Sequence, residues 1–280
     1  MRRLFAIIYI LFCTFVCSAI EVVDGSGRCF SFKNPPKVVS IAPVVTDLIF
    51  ALGAEDNLLA VSAFCDTRGM NIKRIGSSFG LDWEKLVELN PELVICSYVK
   101  DNSLRSRLQE CGITYVCLNE EGLANIACDI RLLGKIFSKQ IKAEKLARKF
   151  EDTIKNEPKG NRPRAIFLLG SVAAGAGSFV GDVLKAGGFE NCVDKISSPW
   201  PVLSREFILG ENPDVLFFTA SSQKQCELVL SNLKEDIAWS NTNAVKNNRI
   251  YFVPFDDIIL PSVRVLNAIE RIRKIRDNLK

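Results

Sequence analysis

Histidine is absent from all 280 residues. That removes Ser-His-Asp and Cys-His catalysis, His-liganded zinc or manganese, and His-ligated haem together. A strong excess of one charge is missing too: 36 Lys and Arg stand against 32 Asp and Glu, a net +4 that is too mild for a dedicated nucleic-acid binder. No Cys-x-x-Cys pair occurs among the ten cysteines, so neither a zinc ribbon nor a thioredoxin-type motif is supported. No long apolar run follows the first nineteen residues, so nothing beyond them reads as a membrane span. What is there is globular in composition, 48% hydrophobic and 24% charged, at a length that suits one large domain or two small ones.

Residues 1–19 read as a cleavable signal peptide, which implies a periplasmic protein. Arg2 and Arg3 form a positive start, Leu4 to Val16 an apolar run, and Cys17-Ser18-Ala19 a small-residue end. The run is shorter than the roughly 20 residues of a spanning helix, and bulky Phe15 and Val16 before Cys17 disfavour a lipid-attachment signal. Removal of Arg2 and Arg3 takes the charge from +4 to +2. Eight cysteines remain: Cys29, Cys65, Cys96, Cys111, Cys117, Cys128, Cys192 and Cys226. Cys96 and Cys117 sit in apolar, strand-like runs and read as small buried hydrophobes.

The chain repeats itself. LDWEKLVELNPELVICS at 81–97 and LSREFILGENPDVLFFT at 203–219 align without a gap, with Leu81/Leu203, Glu84/Glu206, Asn90/Asn212 and Pro91/Pro213 identical. Asp82 and Ser204 are helix N-caps, and each Asn-Pro stops its helix because proline disfavours helical geometry in the residue before it. A purely apolar run follows each time, as a buried parallel strand requires. A second pair, DLIFALGAE at 47–55 and DVLKAGGFE at 182–190, matches at Asp47/Asp182, Ala51/Ala186, Gly53/Gly188 and Glu55/Glu190. Gly53 and Gly188 suit the left-handed position after a helix.

Each copy therefore reads as alternating strands and helices, with strands near 37–42, 58–62, 92–97 and 113–118, then near 164–169, 191–193, 214–219 and 249–253. The expected fold is α/β: two Rossmann-like lobes with parallel sheets, residues 36–138 and 162–280, joined by one long backbone helix over 139–158. In that helix Ile141, Leu146, Phe150 and Ile154 form the apolar face. A last helix over about 262–279 buries Leu266, Ile269, Ile272, Ile275 and Leu279.

Ligands of open α/β sheets bind beyond the carboxyl ends of the strands, so two facing lobes make a ligand cleft between them. The segments after the strands bring Pro43, Phe64, Phe79, Tyr98, Trp200 and Phe255 there, with few acids or bases. Aromatics bury roughly 150–250 Å² each, which suits a large, flat, partly apolar ligand; the competing reading is that each ring is core. No nucleophile stands beside a base, and GAGSFVG at 175–181 misses both phosphate-loop spacings, so no catalytic residue and no protein-held metal is assigned.

Several stretches together resemble the Fe/B12-type periplasmic binding proteins, the helical-backbone receptors of ABC importers: VVSIAPVVTDLIFALG at 38–53, Leu81 to Cys96, SFVGDVLKAGGFEN at 178–191, PWPVLSRE at 199–206, and Trp239 with AVKNNRIYFVP at 244–254. The resemblance covers nearly all of residues 36–280, and PWPVLSRE is nearest the corrinoid-binding members. It implies a receptor with no cofactor of its own, binding a small-molecule metal chelate: a cobalt corrinoid or a ferric chelate. It implies that Phe64, Phe79 and Trp200 surround the ligand, that Asp256 lies in a loop closing over it, and that Glu84 and Glu206 dock on arginines of a permease coupled to its ATPase. The receptor itself is expected to be a monomer. Ala42 departs from the pattern, where many relatives carry a capping serine. A ferric-siderophore receptor is the nearest rival, with Arg68, Lys73, Arg74 and Arg205 as candidate basic residues for an anionic chelate. A haem receptor comes third, with Phe79 where such receptors often use tyrosine. An exported α/β enzyme is the reading from another class.

Overall fold

A computed structural model describes residues 20–24, 27–77, 80–97, 103–119 and 122–279. The reading of 1–19 as a signal peptide lies outside them.

The expected strands form two five-stranded sheets. In the first the order is Lys73–Arg74, Leu58–Val61, Val38–Ser40, Leu93–Ser97, Tyr115–Leu118, and every pairing is parallel. In the second, Val172–Ala173, Arg164–Leu169, Val215–Ala220 and Ile250–Pro254 are neighbours in that order, and Glu190–Asn191 also pairs with Arg164–Leu169. Only Val172–Ala173 runs antiparallel there. The central strands read as unbroken apolar runs because helices cover both faces: every residue of Leu93–Cys96 and of Val215–Ala220 is buried. Two lobes result, joined by one helix.

The repeat is borne out in local geometry. Trp83–Leu89 and Arg205–Glu211 are helices of seven residues each. Asp82 Oδ1 accepts from the Lys85 backbone N–H at 3.0 Å, and Ser204 Oγ accepts from that of Phe207 at 3.1 Å. Both helices end on a left-handed asparagine, Asn90 (φ 43, ψ 58) and Asn212 (φ 41, ψ 66). Proline in the next position excludes another helical turn, and asparagine is among the few non-glycine residues that tolerate this conformation. Gly53 and Gly188, from the second pair of repeats, likewise have positive φ, 67 and 86.

The connecting helix spans Gln140–Lys155 and buries Ala143, Ala147 and Phe150, with Leu146 and Ile154 partly buried beside them. One expectation is corrected: Ile141 is 91% exposed. The contact stripe starts two positions later, because Ala143 closes against Gly134 of the helix Leu123–Ile136. A Cβ on Gly134 would sit 2.2 Å from that of Ala143, so the two helices approach as closely as glycine permits. Arg131 then clips the pair together on the outer side, at 2.7 Å from Glu144 and 2.6 Å from Glu151. The last helix, Val265–Asp277, buries Leu266, Ile269 and Ile272, with Ile275 and Leu279 packed partly against the core. One hydrophobic core runs through both lobes, from Leu48 and Ile130 to Phe217 and Ile269.

Not foreseen was an antiparallel pair, Ile20–Val23 with Cys29–Phe32. It attaches through buried Val22, and through Asp24 and Arg28: the Arg28 guanidinium donates to Asp24 at 2.6 Å and to the Tyr115 carbonyl at 2.9 Å, and lies 3.8 Å over the Tyr115 ring. Two short strands held by a cation over a distant ring leave no periodic signal.

Cys96 and Cys117 are buried as expected and face each other across paired strands, Sγ to Sγ 3.3 Å. Cys65 and Cys192 are buried too, and burial pushes the Cys192 thiol up to about 11. Cys29, Cys111 and Cys128 are exposed. Under native conditions these three are expected to react with a thiol-specific reagent within minutes, while Cys65, Cys96, Cys117 and Cys192 wait for unfolding. Peptide mapping after timed alkylation checks this; early labelling of the buried four contradicts the sheet assignment.

Candidate ligand-binding cleft

The first lobe supplies one wall from two strand ends. Val38–Ser40 runs into the helix Pro43–Leu52, whose first residue, Pro43, has its φ preset for a helix. Ala42 gives this helix no side-chain cap. Instead Ser40 and Thr46 pair hydroxyl to hydroxyl at 2.7 Å beneath it, and both lean on the Ala42 carbonyl. After Leu58–Val61 the chain turns outward and presents Phe64, 71% exposed. Arg74 braces that turn by donating to the carbonyls of Ser62, Ala63 and Cys65 at 3.2, 2.8 and 3.1 Å.

The second lobe supplies the other wall. Ile250–Pro254 leads into the short helix Phe255–Ile258, which carries Phe255 and Asp256, and Ile259, Leu260 and Arg264 follow. Between the walls lies a cavity of about 460 Å³, lined on the first side by Pro43, Asp47, Phe64 and Asp66. On the far side of Phe255 and Asp256 a second hollow of about 260 Å³ reaches Ser221, Gln223 and Cys226.

An ionic network crosses the base of the cavity. Arg264 Nε donates to Asp47 Oδ1 at 2.7 Å, and its Nη2 donates to Asp66 Oδ2 at 3.0 Å, linking second lobe to first. Arg68 Nη2 donates to the same Asp47 oxygen at 3.2 Å, with its guanidinium 4.9 Å above the Phe50 ring. Asp47 is buried, and among the described residues its Oδ2 has no hydrogen-bond partner. The Arg68 backbone N–H and the Arg264 guanidinium hold the Asp66 carboxyl below the usual carboxylate range. Its contribution to joining the lobes is therefore present at neutral pH and lost as the pH falls through that lowered value. Arg68 is itself left-handed at φ 51, fixed by its N–H to Asp66 Oδ1 at 2.9 Å.

Of the residues expected to touch ligand, the structure thus brings together Pro43, Phe64 and Asp256. Phe79 and Tyr98 lie outside the described residues. Trp200 is not among the residues that line this cavity. It is 37% exposed and meets Phe179 edge-on at 6.1 Å. The cause is the backbone around it. Ala173 and Gly175 donate to the carbonyls of Pro201 and Pro199, both at 2.9 Å, which lays 198–201 flat along 173–175. Asp47 and Arg264 were not expected here, while Asp66 and Ile259 lie in segments after the strands that were expected to line the cleft but were not singled out. Asp47 had stood out only as a repeat match, and the others carry no local pattern.

Glu84 and Glu206 occupy the same position, the second residue of each seven-residue helix, and both are exposed. Its own backbone N–H and the Ser204 hydroxyl hold the Glu206 carboxyl below its ordinary value. One turn on, each glutamate is followed by an exposed aliphatic residue, Val87 at 52% and Leu209 at 47%. These two are also repeat-equivalent, a signal present in the sequence itself.

Comparison with known proteins agrees with this geometry. Residues 38–256 match the family described as periplasmic binding protein. The chain is 26% identical over 270 residues to the vitamin B12-binding protein of Vibrio campbellii, covering 92% of this chain and 94% of that one. Among solved structures, the periplasmic vitamin B12 binding protein BtuF of Vibrio cholerae superposes with a TM-score of 0.72 at 23% identity, over 87% of this chain and 97% of that one. The periplasmic heme binding protein HutB of the same species gives 0.74 at 22%, over 85% and 98%.

Proposed function

We propose, from the premise that the chain belongs to the periplasmic binding protein family, that it is the solute receptor of an ABC importer and that its cargo is a cobalamin-like corrinoid. A receptor of this kind is a substrate-binding protein and not an enzyme; its partners are a permease with its ATPase, and a small molecule. The observation that carries the reading is the cavity between the lobes, walled from both sides by Pro43, Phe64, Phe255 and Ile259. A flat macrocycle can be held by such walls without a protein atom on its metal, which suits a chain without histidine.

The likeness to a vitamin B12-binding protein over most of both chains supports a corrinoid. So does the engagement of three of the four basic residues that a siderophore reading would use, exposed Lys73 being the exception. Arg68 is taken by Asp47, Arg74 by three carbonyls, and Arg205 by Asp236 at 3.3 Å. Residues 1–19 would export the chain and be cleaved, the lobes would divide near 138 and 162, and the mature receptor would act as a monomer.

Titration of the purified protein with cyanocobalamin, ferric siderophores and haem, read by tryptophan fluorescence, tests the cargo. Saturable binding of cyanocobalamin is expected; saturation by haem or a siderophore alone overturns the assignment. Phe64→Ala is expected to weaken cobalamin about tenfold, or 1.4 kcal/mol. The ring is largely exposed, so the urea midpoint should hardly move. Trp200→Ala should cost less affinity than Phe64→Ala, since Trp200 sits off the cavity on Phe179. The reverse order would place the ligand against 198–201 instead.

A further inference from the structure

We infer that the cleft selects its cargo by charge, accepting a neutral or positively charged chelate and disfavouring one with a net negative charge. The inference rests on the reading of this cavity as the cargo site. Among the described residues, five charged side chains line the cavity or pair with its lining. Arg68 and Arg264 are positive; Asp47, Asp66 and Asp256 are negative, which leaves a net charge of −1.

Both arginines already have carboxylate partners, which lowers what they offer an anion. Arg264 spans Asp47 and Asp66, and Arg68 shares the Asp47 oxygen. A carboxylate or catecholate on the cargo would compete with Asp47 and Asp66 for these guanidinium groups, and any weakening of the pairing falls on a buried carboxylate whose second oxygen, among the described residues, already has no donor. Drawing Arg264 away would also loosen the link between the lobes. Arg74 stands outside the lining with its guanidinium on three carbonyls. Among the described residues, the ion pairs of the cavity leave Asp256, exposed at the rim, as the charge without a counterpart. Its field falls on whatever fills the cavity, attracting a cation and repelling an anion.

Three forms of one ligand separate charge from shape: aquocobalamin in mildly acidic buffer, which carries one positive charge, neutral cyanocobalamin, and the cyanocobalamin monocarboxylic acid, in which one side-chain amide has become a carboxylate. The wild type is expected to bind aquocobalamin at least as tightly as cyanocobalamin, and the monoacid about fivefold more weakly than aquocobalamin at low salt, the gap closing as salt is raised. The double variant Asp66→Asn/Asp256→Asn brings the cavity to +1 and should reverse the order of aquocobalamin and monoacid. Asp66 and Asp256 are exposed, so the fold should survive, and a urea midpoint confirms it.

Equal binding of the two charged forms by the wild type, or an order unchanged in the folded double variant, overturns the inference. Binding of no corrinoid at all would overturn the cargo assignment instead. Charge selection is then read on a cationic ferric trihydroxamate against an anionic ferric tris-catecholate, and tighter binding of the anion refutes it.

Discussion

Exchange of Glu84 and Glu206 together for lysine is expected to abolish cargo uptake by cells while leaving the dissociation constant of the isolated receptor within about twofold of wild type. The two glutamates sit on the outer face of equivalent helices, one per lobe, each capped by the residue two before it and followed by an exposed Val87 or Leu209. The helix N-terminus alone explains a first-turn glutamate. It does not explain why both lobes keep one at the same position beside the same kind of exposed apolar side chain. A partner with two-fold symmetry does, because each half of it meets the same small constellation. Neither glutamate lines the cavity, so ligand affinity is the internal control. Each single reversal should fall between wild type and the double variant, and the loss should weaken with rising salt in a reconstituted system. Normal uptake by the double variant would leave the glutamates as helix-end residues only.

The largest stability effect is expected at Phe217→Ala, a loss of about 3–5 kcal/mol in unfolding free energy. Phe217 is fully buried in the middle strand of the second sheet. Its ring meets Phe189 edge-on at 5.1 Å and lies 6.1 Å from Phe167 and 6.0 Å from Tyr251. Truncation would empty a site walled by three rings, two of them, Phe167 and Tyr251, held in register by the flanking strands, so the space cannot readily collapse. Against a typical 5–15 kcal/mol for a whole domain, that is a large share. A urea titration by circular dichroism would show it as a lower midpoint with an unchanged slope. A loss below about 1 kcal/mol would mean that the core repacks, contrary to the close aromatic geometry.

What could be read beforehand follows from where the information lies. The strands of the second sheet and the two capped helices were placed within a residue or two, because an apolar run, a cap side chain and an Asn-Pro stop each act within a few positions. Ile141 failed because four spaced apolar residues do not say which of two adjacent stripes meets the neighbouring helix; Gly134, seven positions earlier, decided that. The local setting of Trp200 is a like case. Its loop was foreseen, but the backbone bonds from Ala173 and Gly175 that turn it toward Phe179 were not.

The sequence by itself determined the alternation of strands and helices, the doubling of the lobe, the placing of one glutamate on each copy, and the exclusion of every histidine chemistry. These are local or periodic properties, written in neighbouring residues. Only the tertiary structure decided that Asp47, Asp66 and Arg264 meet, although 217 positions separate the first from the last. It alone shows the arginines of the cleft already neutralised and Phe64 facing Phe255 across a cavity. Contacts between lobes depend on how two separately formed sheets pack through a shared core, and no spacing along the chain records that angle.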